Sequence, residues 1–356
     1  MKKFILGIFI SAGICPGFAQ SLKYSNEFLA IGIGGRAIGM GGAVIASTRD
    51  VTSTYWNPAG LMGMDDNIQI GAMHNEQFGG ITKHDYGVIG FKLNDHSKMA
   101  ISMIRLGVDG IPNTLYLMQD GQINYALIRS FSAVDYAFVG TYATQTKLDG
   151  LTVGGNVKVI RRVIGSFGGA WGFGLDAAVN YKKGDWSLAF VAKDITSTFN
   201  AWNYKLSNED KAQFIATGNA IPSGGLEITL PKFTIGVARK FEFGNGKYTI
   251  LPEINMDFTT DGQRNVLVSS KYVNLDPRFG LELGYNKIIF LRGGYSTLQR
   301  ITDFSGQKTI NGMPGLGIGI QLKNFAIDYA LGNAFNQGLL GMSNVISLRL
   351  SINKKS

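Results

Sequence analysis

Residues 315–331 read GLGIGIQLKNFAIDYAL, and this stretch decides the fold. Large apolar side chains stand at every second position on both sides of a short break at 323–324. They are Leu316, Ile318 and Ile320 before the break, and Phe325, Ile327, Tyr329 and Leu331 after it. Small or polar residues fill most of the positions between them. A period of two predicts two strands, each with one apolar and one small or polar face, joined by a tight turn.

The same alternation recurs from about Asn67 to the C-terminus, for example over 151–159, 173–181 and 346–350. Short turns such as Asp149-Gly150 and Asn245-Gly246 have the chemistry of tight hairpins. Longer connections are predicted at about 75–84, 108–128, 164–169, 196–230, 259–277, 298–313 and 333–342. Short and long connections alternate, which predicts an even number of about 14 strands.

The sorting of connections by length favours a transmembrane antiparallel β-barrel, with small and polar residues lining the lumen. After the N-terminal residues, no window approaches the roughly 20 apolar residues of a membrane helix. Gly is abundant, at 48 of 356 residues. A soluble periplasmic β-protein, with its apolar faces turned inward, stays open as an alternative.

The first 19 residues are predicted to be a cleaved signal peptide. Lys2 and Lys3 precede an apolar run from Phe4 to Ile14, and Gly17-Phe18-Ala19 offers small residues for cleavage. The chain's one cysteine, Cys15, would leave with this segment, so the mature protein would contain no disulfide and no thiolate site. Export to the outer membrane is therefore expected.

Between the signal and the barrel (67–356), residues 20–66 form a unit of a different kind. It contains a glycine-rich run at 30–42 and the block Trp56-Asn57-Pro58-Ala59-Gly60. Because glycine allows a backbone to approach the wall closely, this segment is expected to fold into the lumen as a hatch. The candidate hatch motif comprises Gly34, Gly35, Arg36, Gly39, Gly41, Trp56, Asn57, Pro58, Ala59 and Gly60.

The connection at 196–230 contains a second candidate site. Ser207 is placed to cap a short helix over 208–217, with Asp210 at the capping-box position and Gly218 after it. Phe214 and Ile215 would then bind a partner protein or form a lid. The alternative is simple packing of the loop.

Motifs for catalysis are missing from the sequence. The three histidines, His74, His84 and His96, form no His-Glu-x-x-His pair, and there is no Gly-x-Ser-x-Gly elbow. Gly32-x-Gly34 is not preceded by the strand of a dinucleotide fold, and β-hairpins follow it. We expect no enzyme activity, no cofactor, no metal and, without a basic run, no nucleic acid. Lumenal charges of both signs are expected to pair across strands: Lys158, Asp176, Lys193, Lys240, Glu242, Asp257, Glu282, Asp328 and Arg349.

The N-terminal blocks resemble a known family. Residues 28–43, FLAIGIGGRAIGMGGA, and 55–61, YWNPAGL, are similar to the N-terminal signature of PorV/PorQ proteins, with further matches at 131–137, 172–176 and 276–282. The shorter Asn-Pro-Ala-Gly element is shared with the wider group of FadL-like transporters. The resemblance implies a FadL-like barrel of fourteen strands with an N-terminal hatch. It also implies a component of the type IX secretion system.

The sequence thus supports two functions. The first is a component of type IX protein secretion, which binds exported cargo or partner proteins of the attachment machinery at its loops, above all 108–128, 196–230 and 298–313. The second is a FadL-like channel for hydrophobic small molecules, in which the hatch moves. Either protein would contact outer-membrane lipid.

Overall fold

Fourteen antiparallel strands close into a barrel in the computed structural model, which describes residues 25–119, 121–302, 306–334 and 341–353. The predicted signal peptide lies outside the described residues. Neighbouring strands pair in chain order, and the last strand pairs with the first, with Ile68 opposite Ile352 and Glu76 opposite Asn344. Because this last pairing leaves no free edge, every strand can satisfy its backbone hydrogen bonds within lipid.

The strand bounds confirm the predicted number and the antiparallel order. They are β1 Ile68–Gln77, β2 Thr82–Asn94, β3 Ser97–Asn113, β4 Arg129–Gln145, β5 Leu151–Ile164, β6 Gly168–Lys183, β7 Trp186–Lys193 continued by Thr198–Tyr204, β8 Gly225–Thr229 continued by Lys232–Arg239 and Phe241–Phe243, β9 Tyr248–Thr259, β10 Asn274–Tyr285, β11 Ile289–Thr302, β12 Lys308–Gln321, β13 Phe325–Gly332 and β14 Ser343–Ile352. A small hairpin, Met118–Gln119 with Gln122–Ile123, lies in the β3–β4 connection.

Helical segments are short and lie mostly before β1. The α-helices are α1 Gly35–Gly39, α2 Ser53–Trp56 and α3 Asn208–Ala216, and the 3-10 helices are Glu27–Leu29, Pro58–Gly63, Phe78–Gly80 and Tyr125–Leu127. Ser207 caps α3 in a capping box with Asp210, as the sequence predicts. None of the described helices is long and apolar enough to span a membrane.

The outward face of the barrel is apolar, and the inward face is small or polar. In β12 and β14, Ile318, Ile346 and Leu348 point outward, and Ile318 is 46% exposed. In β5, Val157 is exposed, whereas its neighbours Asn156 and Lys158 are buried against the interior. An apolar surface that encircles a barrel is unfavourable in water and matches the lipid-facing band of a membrane barrel.

One charged residue on the outward face shows where this band ends. Arg239 lies at the end of its β8 segment, near the β8–β9 turn, and its guanidinium carbon stacks 5.0 Å from the Trp186 ring centre and 4.6 Å from that of Phe241. A charge on this face is tolerated near the interface, where its cost falls toward zero.

The two ends of the barrel differ in their connections. At the turn end, tight turns join β2 to β3, β4 to β5 and each later pair in the same way. At the loop end lie the long connections β3–β4 at 114–128, β7–β8 at 205–224 and β9–β10 at 260–273. In outer-membrane barrels the longer loops face the exterior.

Three predicted long connections are shorter than expected. β1 runs to Gln77 and β2 begins at Thr82, so the first loop is confined to 78–81, and the β5–β6 connection is only 165–167. β11 ends at Thr302 and β12 begins at Lys308, so the connection predicted at 298–313 is confined to 303–307. The strands continue past the apolar band, because ladder hydrogen bonds persist where the side chains have become polar. A strand ends where its backbone loses a partner, which periodicity alone does not reveal.

Candidate functional site: the lumenal hatch and its cavities

Residues 25–66, called the hatch below, lie inside the barrel. Helix α1 contacts β11, β12, β13 and β14, and the 3-10 helix Pro58–Gly63 contacts the opposite wall at β3, β4, β5 and β6. Hatch side chains form about half of a buried apolar cluster, 13 of its 27 described members, including Ile33, Met40, Val44, Leu61 and Met64. The wall contributes the other 14, and half of these are alanines, so the hatch adds large apolar side chains to a lumen lined by many small and polar residues.

Glycines of the candidate motif lie where the hatch meets the wall. A β-carbon on Gly39 would come within 2.9 Å of the Gly317 Cα, and one on Gly41 within 2.7 Å of the Tyr295 backbone nitrogen. Gly41 also has a positive φ of 61°, which favours glycine. These contacts explain why α1 and β11–β12 are both rich in glycine.

The other motif glycines make different contacts. Gly34 has φ 84° and donates its N–H to the sulfur of Met73, whereas Gly35 donates to the Ser347 hydroxyl at 2.9 Å. Gly60 packs within the hatch itself, where a β-carbon would lie 2.5 Å from the Thr48 carbonyl oxygen. The motif thus combines residues that touch the wall with residues that shape the hatch.

Two ion pairs anchor the hatch to the wall. Arg36 Nε lies 2.9 Å from Glu282 Oε2, and Glu282 also pairs with Arg292 at 2.7 Å. On the hatch, Asp50 pairs with Arg349 of β14. Burial alone would raise the pKa of Asp50, but the Arg349 charge and hydrogen bonds from Thr52 outweigh it and hold the pKa below its usual value.

The block 56–60 is held by its own hydrogen bonds and by the wall. Trp56 Nε1 donates to the Ile33 carbonyl at 3.0 Å, and Asn57 Nδ2 donates to the Ile45 carbonyl at 2.7 Å. The Asn57 side chain also caps the following 3-10 helix by accepting from the Ala59 N–H. Pro58 and Ala59 contact Gly154 of β5. A β-carbon on Gly154 would lie 2.5 Å from the Pro58 carbonyl carbon.

A first cavity, of about 120 Å³, lies between the hatch and the wall toward the loop end. Its lining combines Leu29, Tyr55, Trp56 and Ile104 with the charged end of Lys193 and other polar groups. The Lys193 ammonium lies 4.0 Å from the centre of the Tyr55 ring, a cation–π contact. The cavity therefore offers an apolar surface and a cation held against an aromatic ring.

The other predicted lumenal charges also form ion pairs. Lys158 contacts Asp176 at 2.7 Å and also pairs with Asp194. Asp257 accepts from Lys232 at 2.7 Å and from Arg278 at 2.6 Å. Of the remaining predicted residues, Asp328 pairs with Arg292 at 2.6 Å, and Lys240 pairs with Glu242. Pairing was expected, but hatch residues Arg36 and Asp50 as partners were not.

A second cavity, of about 280 Å³, lies on the other side of Trp56. Trp56, Gly42, Ala30 and Arg278 line both cavities, so the tryptophan ring and this arginine stand between them. The rest of the lining is largely apolar or neutral, with Ile31, Ile38, Asn75, Phe78, Met313 and Asn333 among its members.

A polar vestibule of about 640 Å³ occupies the turn end, on the opposite face of the hatch. Charged side chains of both signs line it, including Arg36, Arg49, Asp50, Glu282 and Arg349. The two faces of the hatch thus differ: mixed aromatic and polar cavities lie toward the loops, and an ion-rich space lies toward the turns.

The loop helix α3 places its two candidate residues differently. Phe214 lines an apolar groove of about 410 Å³ together with Phe131, Phe167 and Leu206, whereas Ile215 is 67% exposed. The Tyr116 hydroxyl donates to Asp210 at 2.7 Å and ties α3 to the β3–β4 connection. The helix is therefore fixed at the loop end, and Ile215 points away from the groove.

Sequence reasoning missed several lining residues. Tyr55, Asn75, Arg278 and Asn333 were not among the candidates, although Tyr55 adjoins the motif and Arg278 lies within a block that resembles PorV/PorQ proteins. An asparagine at an inward position of a strand was the available signal for Asn75.

The fold is similar to those of several solved structures. The chain is similar to the toluene transporter TodX from Pseudomonas putida, with 14% identity, a TM-score of 0.60, and coverage of 91% of this chain and 99% of that chain. The CymD monoaromatic hydrocarbon channel gives 10% identity, a TM-score of 0.60, and coverage of 91% and 98%. A Pseudomonas aeruginosa FadL homologue gives 12% identity, a TM-score of 0.52, and coverage of 90% and 98%.

The chain has a FadL-like barrel fold. At these identities the likeness establishes the fold alone. No family model and no curated protein matches the sequence. These three structural matches do not support the closer resemblance to PorV/PorQ proteins, which stays a prediction.

Proposed function

We propose that this protein is an outer-membrane channel that admits hydrophobic small molecules past the hatch. The observation that carries the proposal is the pair of cavities on the loop side of the hatch, which meet at Trp56 and lie inside a FadL-like barrel. The similar TodX and CymD proteins are a toluene transporter and a monoaromatic hydrocarbon channel.

Cavity chemistry supports a small apolar solute. The second cavity is lined by Ile31, Ile38, Met313 and the Trp56 ring, which offer dispersion contacts and no strong competition from water. A cavity of roughly 150 Å³ is enough to bind benzene when it is apolar, so about 280 Å³ accepts one ring with a substituent. Movement of the hatch would connect these cavities with the vestibule.

Entry of radiolabelled toluene into intact Gram-negative cells tests the proposal. Cells that make the protein should take up toluene faster than cells that lack it, because lipopolysaccharide slows apolar solutes at the outer surface. Trp56→Ala should change the rate. Its matched control, Trp171→Ala, alters an exposed outward residue of β6 and should not. Equal uptake with and without the protein would rule out the channel function.

A second candidate is the interaction role in type IX secretion. It is supported by the sequence resemblance and by the fixed position of α3 with its exposed Ile215. An exposed aliphatic side chain on an ordered loop helix suits a partner protein. Deletion of the gene in its host should then remove surface-attached proteins, and an unchanged surface proteome would exclude this role.

A further inference from the structure

We propose that the second cavity is a binding site for an uncharged ring compound that carries a hydroxyl or carbonyl group, and that Asn75 recognises this polar group. The inference rests on the proposed channel function, because it treats the cavity as a stopping point for a solute. It goes further by naming the chemistry of that solute.

Asn75 provides the main observation. Its side chain lines the second cavity and is 1% exposed, yet neither its amide nitrogen nor its amide oxygen has a hydrogen-bond partner among the described residues. Leaving a buried amide unpaired is costly, and such groups are rare in folded proteins. An unpaired amide in the lining of a cavity can donate to and accept from the same ligand group.

Its surroundings do not satisfy this amide. His84 stands directly opposite Asn75 in the β1–β2 pairing and is fully buried, but both of its ring nitrogens also lack a partner in the described chain. Across the cavity, Asn333 donates to the Gly341 carbonyl at 3.0 Å and leaves its own side-chain oxygen without a partner. The cavity is therefore bordered by neutral donors and acceptors that remain unused.

Charge in the lining argues against an acid or an amine. Among the described lining residues the charged side chain is Arg278; its Nη2 pairs with Asp257 at 2.6 Å, whereas its Nε has no partner among the described residues. A carboxylate ligand would meet an arginine whose charge Asp257 already balances, and an ammonium ligand would meet no carboxylate in the lining. A neutral hydroxyl or carbonyl avoids both costs.

Backbone conformation marks the same cavity. Phe78, Thr297 and Asn333 all line it, and all have a positive φ of about 54° despite having side chains. For a bulky or β-branched residue this is a strained conformation, and such strain clusters at ligand sites. Phe78 and Asn333 follow the ends of β1 and β13, Thr297 lies at a β-bulge in β11, and the conformations of Phe78 and Thr297 are the unfavourable ones.

Fluorine NMR titration of the purified full chain in detergent, with empty micelles to correct for partitioning, tests the assignment. The probes are para-fluorophenol and para-fluorotoluene, which have nearly the same shape. The first has a hydroxyl where the second has a methyl group. Fluorophenol should bind about tenfold more tightly, which corresponds to one well-placed hydrogen bond to an otherwise unpaired group. Asn75→Leu, which keeps the side-chain size, should abolish the preference and leave fluorotoluene binding in place.

Asn324→Leu, at the exposed β12–β13 turn, serves as the matched control and should keep the preference. A heat-shift gel verifies that each variant is folded, and Asn75→Leu should be at least as stable as the native chain because it removes an unpaired buried amide. Equal binding of both probes, or a preference that survives Asn75→Leu, overturns the assignment alone. Binding of neither probe overturns both the assignment and the channel function.

Discussion

At the scale of single residues, the hatch is fixed by charges that the sequence separates widely. Arg36 and Glu282 are 246 positions apart, yet they form a partly buried pair at 2.9 Å. Replacing one member leaves the other in a poorly solvated site, which costs more than the pair contributes by itself.

Arg36→Met should therefore lower the free energy of unfolding by about 3 kcal/mol, the low end for a broken buried pair, because Glu282 keeps Arg292. The midpoint of unfolding can be followed by the heat-dependent shift on gels. Lys240→Met breaks a more exposed pair with Glu242 and should cost about 1 kcal/mol or less. Equal effects of the two substitutions would show that Arg36 does not anchor the hatch.

Low pH should remove the stabilisation that the Asp50–Arg349 ion pair provides. Because the folded-state pKa of Asp50 lies below its ordinary value, its pairing with Arg349 stabilises the protein fully above the unfolded pKa of about 3.9 and is lost as the pH falls through the lower folded value. Stability toward unfolding should thus change little between pH 8 and pH 5 from this group and decline below about pH 4. Asp50→Asn should remove this part of the acid response. The same decline in Asp50→Asn would assign it to other groups.

At the scale of elements, each strand has a lipid face and a lumen face. Ile318 of β12 points outward, whereas Gln321 lines the vestibule. Ile318→Arg should cost about 2–4 kcal/mol and reduce assembly in the membrane, because a charge would enter the hydrocarbon. Gln321→Arg should assemble nearly as the native chain does. Equal assembly of the two variants would mean that the assigned inside and outside are wrong.

Contact between the end of α1 and the wall can be tested with two glycines that have a similar positive φ. Gly41 has φ 61° and would bring a β-carbon 2.7 Å from the Tyr295 nitrogen, whereas Gly79 has φ 66° and has open space around it. Both alanine variants bear the left-handed backbone cost of roughly 1–2 kcal/mol. Gly41→Ala should lose a further 1–3 kcal/mol or so from overpacking, measured by denaturant unfolding. Equal losses would place α1 away from β11.

Sequence alone predicts what depends on local periodicity. Alternation at positions such as Leu316 to Ile320 locates the strands, and the order of short and long connections supplies the strand count and the outward direction of the apolar face. The ends of β1 and β5 were missed, because polar residues such as Asn75 and Gln77 continue the ladder beyond the apolar band.

Long-range contacts account for the rest of what the sequence could not supply. Glycine richness suggested a hatch, but it could not show that Gly39 meets Gly317 or that Asp50 meets Arg349. Trp56 was a candidate from its motif, whereas its place between two cavities depends on Arg278 and Asn75 in distant strands. Such sites arise from closure of the barrel, which brings together residues that no short pattern relates.

At the scale of the whole molecule, the hatch fills the lumen of the barrel. We propose that it closes the lumen to ions and that the cavities beside it admit small apolar solutes. The hatch provides 13 of the 27 described members of the buried apolar cluster, and half of the wall's 14 members are alanines. Removing the hatch should leave a hydrated lumen within a barrel that is still closed by the β1–β14 pairing.

The most direct measurement is the conductance of single molecules in planar lipid bilayers, for the native chain and for a variant that lacks residues 30–63. A heat-shift gel first verifies that the variant barrel is assembled. The native chain should show little ion conductance, and the deletion should give large, stable, porin-like steps. Unchanged conductance in an assembled deletion variant would show that the hatch does not close the lumen.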